Sequence, residues 1–265
     1  MSKIEEKIYS CTCPVLDLRR KPEFSGDLYK QDHLQESQIL YGEQVKIIKK
    51  SQSWAYIELL QQKKWENDHF VSYRGWALLD YFAPCDLIKE KFVLVKALEI
   101  EGNHYSVGCF FDKKQLVGFD SSVFRLFSPL INNDRVCFLQ NFLEPFMGTP
   151  YHWGGLSSYY AGSRPLTGVD CSGLVHLLYR GMGIEVPRDA HDQYLFCHLI
   201  DLKDLAVGDL CFMQPEGKER VDHVMIYLGD GRVMESTMEV NSVRICDLEH
   251  RLSVYSGLVF YGRIP

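Results

Sequence analysis

Val169-Asp170-Cys171-Ser172-Gly173-Leu174-Val175-His176-Leu177-Leu178-Tyr179-Arg180-Gly181-Met182-Gly183 reads as an apolar helix with a cysteine in its first turn. Asp170 is a good N-cap and Gly183 supplies the residue type that ends a helix. The unpaired amide hydrogens and the dipole at a helix start favour an anion, so position alone helps Cys171 form a thiolate. A second segment, Asp222-His223-Val224-Met225-Ile226-Tyr227-Leu228, sets a histidine at the start of an apolar strand, 52 residues after the cysteine. Gly229-Asp230-Gly231-Arg232 reads as a hairpin turn into Val233-Met234-Glu235-Ser236. His223 and Glu235 are each six positions from Gly229, which predicts that they lie opposite each other on one face unless a bulge slips the register. A carboxylate there would fix the imidazole tautomer and favour its protonated form beside a thiolate. With Ala206–Met213 as a further strand, the chain from 136 onward is predicted to be an α+β unit.

The chain has 265 residues, 46% of them hydrophobic, enough to bury one large core or two to three smaller ones. A formal charge of -6 shows no basic excess, so neither nucleic acid nor an acidic membrane surface is favoured as a partner. The stretch beginning Met1-Ser2-Lys3-Ile4-Glu5 has no apolar run of signal-peptide length, and nowhere do about 18 apolar residues follow one another. Cytoplasmic localisation is the expectation. Nine irregularly spaced cysteines suit a reducing compartment better than a disulfide framework. Cys11-Thr12-Cys13 is too closely spaced for a zinc clip and no second pair complements it, so no metal site is expected.

Before residue 85 the chain is punctuated by short β-rich runs: Ile8–Cys11, Val45–Ile48, Trp54–Leu59 and Gly75–Leu78. Pro14–Pro22, Leu40–Val45 and Gly75-Trp76-Ala77 resemble, in order, pieces of bacterial SH3-like domains. That resemblance implies a small barrel over 1–85. A second β-rich stretch, with Phe92–Lys96 and Tyr105–Phe111 as expected strands, suggests another, degenerate SH3-like domain over 86–135.

Asp170-Cys171-Ser172-Gly173-Leu174, Gly208-Asp209-Leu210, His223–Gly229 and Tyr151-His152-Trp153-Gly154-Gly155 together resemble the NlpC/P60 family of cysteine peptidases. The resemblance implies a papain-like catalytic domain over 136–265 and hydrolysis of the γ-D-glutamyl to diamino-acid bond of bacterial cell-wall peptides. It further implies that no metal or organic cofactor takes part and no obligate protein partner is needed. Relatives with SH3-like barrels before the catalytic domain bind a free N-terminal L-alanine through an acid and a tyrosine. Asp189, in Pro187–Gln193, and Tyr73, in Ser72–Trp76, match those positions.

On this reading Cys171 attacks the γ-carbonyl, His223 carries the proton to the leaving amine and water hydrolyses the thioester. The Cys171 amide and the Tyr151 hydroxyl are candidate oxyanion donors. Ser172 and Asp170 are expected at the substrate, Trp153 on the pocket floor, and Arg188 either on a substrate carboxylate or on an acid of the fold. Family members usually carry histidine, asparagine or glutamine at the third catalytic position, where this chain has Glu235; a full negative charge there should raise the histidine pKa. A second departure is the insert Leu156–Gly168, expected to shape the cleft wall. Two other functions stay open from sequence alone: a thiol amidase or acyltransferase on the same scaffold, and an inactive protein that binds wall peptides.

Overall fold

The computed structural model describes residues 7–24, 32–131, 133–158 and 167–265. Seven strands make the N-terminal sheet: β1 (Ile8–Cys11), β2 (Val15–Arg19), β3 (Gln35–Leu40), β4 (Gln44–Ser51), β5 (Trp54–Glu66), β6 (His69–Leu78) and β7 (Phe82–Cys85). All four runs expected here are strands. The sheet is antiparallel, in the order β3-β2-β6-β5-β4-β1-β7. Its longest hairpin, β5 to β6, turns on Asn67 and Asp68, both at positive φ, as a two-residue turn between right-twisted strands requires. Alternate residues, among them Leu18, Ile39, Val45, Ile57, Leu59 and Tyr73, converge on a core of the sheet's own.

The middle segment contains β8 (Lys91–Leu94), β9 (Leu98–Ile100), β10 (Asn103–Tyr105), β11 (Phe110–Asp112) and β12 (Phe124–Leu126). These pair as β11-β8-β12 and as the small hairpin β10-β9. The single strand expected over 105–111 is therefore broken. Gly108 takes φ +92°, turning the chain so that its amide reaches the Leu94 carbonyl at 2.9 Å, and a Cβ there would stand 2.4 Å from Leu177. Nor is 86–135 a domain with its own core: Val93, Leu94, Phe110, Phe111 and Phe124 share one cluster with Leu174, Leu177 and Leu178 of the C-terminal unit. The boundary expected at 135/136 falls inside the helix α1 (Asn133–Asn141).

The C-terminal unit adds α2 (Cys171–Gly181), α3 (Ala190–Phe196), β13 (His198–Ile200), β14 (Leu210–Pro215), β15 (His223–Gly229), β16 (Arg232–Thr237), β17 (Ser242–Asp247), α4 (Leu248–Ser253) and β18 (Gly257–Arg263). Its sheet runs β13-β18-β14-β15-β16-β17, antiparallel throughout, and α2 packs on β15 and β16. Every residue of α2 is buried, so the helix is a central strut of the unit. The strand expected from Ala206 starts only at Leu210, because Asp209 folds back to accept a 2.7 Å hydrogen bond from the Ala206 amide and Gly208 turns at φ +95°. No helix among the described residues is long and apolar enough to cross a membrane.

The N-terminal sheet is joined to α2 by a buried charge pair. Arg180 donates to Glu43 at 2.7 Å and to the Gly108 carbonyl at 3.1 Å, while Gln62 and the Leu40 amide also donate to the Glu43 carboxylate. Glu43 is wholly buried and Arg180 nearly so. Breaking such a pair from one side strands the other charge. Glu43→Ala is expected to lower stability by about 3–5 kcal/mol in denaturant unfolding; a loss below about 1 kcal/mol would mean that this joint does not hold the two parts together.

Candidate active site

Asp170 starts α2. Its backbone carbonyl accepts from the Leu174 amide and its Oδ1 from the Gly173 amide at 2.5 Å, so Cys171 becomes the first helical residue, as the sequence predicts. Gly173 is required there: an added Cβ would lie 2.3 Å from the Gly155 carbonyl, where the Tyr151–Gly155 loop packs against this helix. Cys171 is buried, with Sγ 3.9 Å from the Asp222 carbonyl oxygen.

His223 opens β15 and reaches Glu235 on β16, Nε2 to Oε2 at 2.6 Å. The route to this contact differs from the one expected. The turn is Asp230-Gly231, Gly229 pairs with Arg232, and a bulge at Leu228 slips the ladder by one residue to Tyr227↔Val233 and Ile226↔Met234. Without the bulge, Glu235 would align with Ile226 and His223 would face the other side of the sheet. With it, the register continued by one residue sets Glu235 beside Met225, two positions from His223 and on the same face. The pair is thus diagonal rather than directly opposite.

Glu235 is completely buried and has more partners than the sequence indicated. Arg244, its neighbour on β17, donates to Oε1 from Nε at 2.9 Å, and Arg251 of α4 donates from Nε to Oε1 at 3.2 Å and to Oε2 at 3.3 Å. Burial alone would push Glu235 up, but the hydrogen bond and charge of His223 and the two arginines bring it down to about 2. Burial opposes the charged imidazole as well, yet the hydrogen bonds it donates to the Cys171 sulfur and to Glu235 raise His223 to about 9. At neutral pH the pair is an imidazolium and a carboxylate, the direction expected of a charged third residue. With Nε2 on Glu235, Nδ1 is the nitrogen left to the sulfur.

Arg188 takes the second of its two expected partners, an acid of the fold. Nε donates to Ser37 Oγ at 2.9 Å, Nη1 to Asp170 Oδ1 and Ser172 Oγ at 3.0 Å each, and Nη2 to Asp170 Oδ2 at 2.8 Å and the Gly155 carbonyl at 3.3 Å. All five N–H groups are occupied by protein, so Arg188 has none for a substrate carboxylate. Asp170 is likewise committed, to the helix cap and the guanidinium, and Ser172 Oγ is held between them. These three brace the helix start; of them Asp170 and Ser172 also form part of the cleft wall.

The cleft, about 700 Å³, brings Tyr73, Tyr151, Trp153, Cys171, Asp189 and His223 together. Tyr73, from β6, donates to both Asp189 oxygens, at 3.3 and 3.2 Å. Asp189 stands at the N-cap position of α3 but its side chain makes no cap hydrogen bond, so the carboxylate is directed at Tyr73 instead. Burial raises Asp189 to about 6 despite Arg188 and Lys64 nearby. Tyr151 lines the cleft, its hydroxyl held protonated by burial and then by the neighbouring Cys171. Trp153 is 49% exposed, which puts it on the rim and not on the floor. Of the insert, residues 159–166 lie outside the described residues; Leu156 is buried, its amide bonded to Gln38 at 2.9 Å, away from the cleft lining.

Sequence reasoning missed Arg244, Arg251 and Glu36 of β3, which also lines the cleft. Each arrives through tertiary pairing, and none sits in a motif. Among the described residues no group of three or more His, Cys, Asp or Glu side chains is placed to hold a metal ion.

The sequence pattern of the NlpC/P60 family matches residues 148–256. A gamma-D-glutamyl-L-lysine dipeptidyl-peptidase of Bacillus cereus is 30% identical over 244 residues, spanning 80% of this chain and 70% of that protein. The chain belongs to the NlpC/P60 family. It is a cysteine peptidase of that family, a hydrolase. The protein of the same name from Bacillus subtilis is 36% identical over 104 residues, 39% of this chain and 32% of that one. The crystal structure of an NlpC/P60 family protein from Bacillus cereus shares the fold, with a TM-score of 0.75 at 20% identity over 97% of this chain and 100% of that one.

The bracing at Arg188 is open to test. Lysine keeps the charge but offers three donors in place of the five-donor fork. Arg188→Lys is expected to lower unfolding stability by about 2–4 kcal/mol, since Asp170 keeps its charge and loses its bidentate partner; an unchanged midpoint would show that the helix start does not rely on it.

Proposed function

We propose that this NlpC/P60 peptidase cleaves the γ-D-glutamyl to diamino-acid bond of cell-wall peptides that carry a free N-terminal L-alanine. The observation that carries the reading is one cleft lined by Cys171, His223 and the hydrogen-bonded pair Tyr73 and Asp189 together. A buried carboxylate with one phenol donor is a receptor for a cationic amine, and a peptide whose amine is acylated leaves that charge unpaired. Peptides still attached to glycan lack this amine, so the substrate is a released fragment and the setting is peptide recycling in the cytoplasm. The N-terminal sheet, as an SH3-like module, supplies Tyr73 to the cleft lining.

In the proposed chemistry the Cys171 thiolate attacks the γ-carbonyl carbon. The C–N bond breaks as the His223 imidazolium gives its proton to the amine, leaving a thioester and a free diamino acid. Water then attacks the thioester while neutral His223 takes a proton, releasing L-alanyl-D-glutamate and restoring the ion pair. The Cys171 amide and the Tyr151 hydroxyl stabilise the oxyanion. Glu235 orients the imidazole without touching substrate.

L-Ala-γ-D-Glu-L-Lys should be cleaved at least about a hundredfold better than its N-acetylated form, measured as kcat/KM, with the preference lost in Asp189→Asn. Equal cleavage of the two peptides by the wild-type enzyme would overturn the free-amine reading. The pH dependence has a definite sign. Asp189, raised to about 6, becomes neutral as the pH falls through that value, so KM for the free-amine peptide should rise about tenfold per unit below it. A KM flat from pH 7 to 4.5 would contradict this.

A further inference from the structure

We propose that Arg244 and Arg251 are positioning residues that make a glutamate workable as the third member of this thiol site, an inference that rests on the proposed Cys171–His223 chemistry. They hold the Glu235 carboxylate so that Oε2 faces His223, and they offset its charge so that the imidazole can release its proton within each turnover.

The geometry supports both parts. Oε1 receives Arg244 and Arg251 together, which fixes the plane of the carboxylate, and the 2.6 Å bond to His223 is made from Oε2. Because Glu235 is fully buried, water does not screen it, and its charge acts on His223 at close range. The charged and titratable groups around the pair can be named element by element. They are Cys171 on α2, Asp222 beside β15, Glu235 on β16, Arg244 and Cys246 on β17, and Arg251 on α4, with Tyr151 and Tyr255 at the edge. Arg244 also bonds Glu239 at 3.0 Å, which keeps the guanidinium in place.

A lone buried carboxylate would stabilise the imidazolium so far that neither the proton transfer to the leaving amine nor the later role as base would proceed readily. Two cations, Arg244 on the far oxygen and Arg251 shared between both oxygens, oppose this. A neutral side chain at the third position would need no such compensation, so the arginines and the glutamate form one unit.

Arg244 is the cleaner probe, because Arg251 also lines the cleft while Arg244 does not. The experiment compares wild type, Arg244→Gln, Arg244→Lys, Glu235→Gln and the Glu235→Gln/Arg244→Gln double variant. It reads kcat and KM on L-Ala-γ-D-Glu-L-Lys and the His223 imidazole titration by NMR, which needs no substrate. Removing the cation should move the His223 titration up by about one pH unit in either background. In the Glu235 background, kcat should fall roughly tenfold with KM within about twofold, and lysine should recover part of it. In the Glu235→Gln background the sign should reverse, with kcat rising, because the repulsion of an uncompensated arginine is relieved.

A fall in kcat of similar size in both backgrounds, with the His223 titration unmoved, would reduce Arg244 to a structural role and overturn the proposal. So would full activity of Arg244→Gln. Should wild type cleave no such peptide, the substrate reading fails while the titrations still decide whether the arginines act on His223 through Glu235.

Discussion

The site depends on one guanidinium. Arg188 sits almost wholly buried where three parts of the chain meet, and its five donors serve four partners: Asp170, which caps the helix of Cys171 and takes two; Ser172 in its first turn; the Gly155 carbonyl of the neighbouring loop; and Ser37 of the N-terminal sheet. Its backbone amide bonds Lys63 of β5 at 2.8 Å. The next residue is Asp189, which meets Tyr73 of β6. A buried arginine is tolerated only where its charge and donors are all matched, and that demand fixes the helix start at Cys171 and the carboxylate of Asp189 relative to each other.

A comparable constraint operates at the other end of the imidazole. Glu235 is an acid inside a β-sheet, where an unpaired charge would be untenable. It is stable because strand β17 brings Arg244 directly across from it and α4 folds Arg251 over it. The bulge at Leu228 is equally necessary, since it selects the face on which His223 emerges. Packing, register and electrostatics thus converge on one carboxylate, and changing any of them alters the proton affinity of His223.

The helix of Cys171 and the hairpin of His223 and Glu235 were legible in the sequence because caps, glycines and apolar periodicity are local signals. Tyr73 and Asp189 were reachable through family resemblance, and their separation of 116 positions shows why no local pattern could pair them. Arg188 stayed open between a substrate carboxylate and an acid of the fold, because an arginine beside an active site has two natural partners, and only the fold puts it on Asp170. Residues 86–135 looked like a second, degenerate barrel from strand propensity, and Val93, Leu94 and Phe110 complete the core around α2. Propensity says that a segment is extended, and does not say whose core it fills.

The central claim is that Cys171 carries the acyl group of the substrate while His223 and Glu235 manage its protons. Its most direct test is rapid acid quenching during turnover of L-Ala-γ-D-Glu-L-Lys, followed by mass spectrometry of the digested enzyme. The account predicts an L-alanyl-γ-D-glutamyl thioester on the peptide containing Cys171. Continued peptide cleavage by Cys171→Ala, or the acyl group on any of the other eight cysteines, would contradict it.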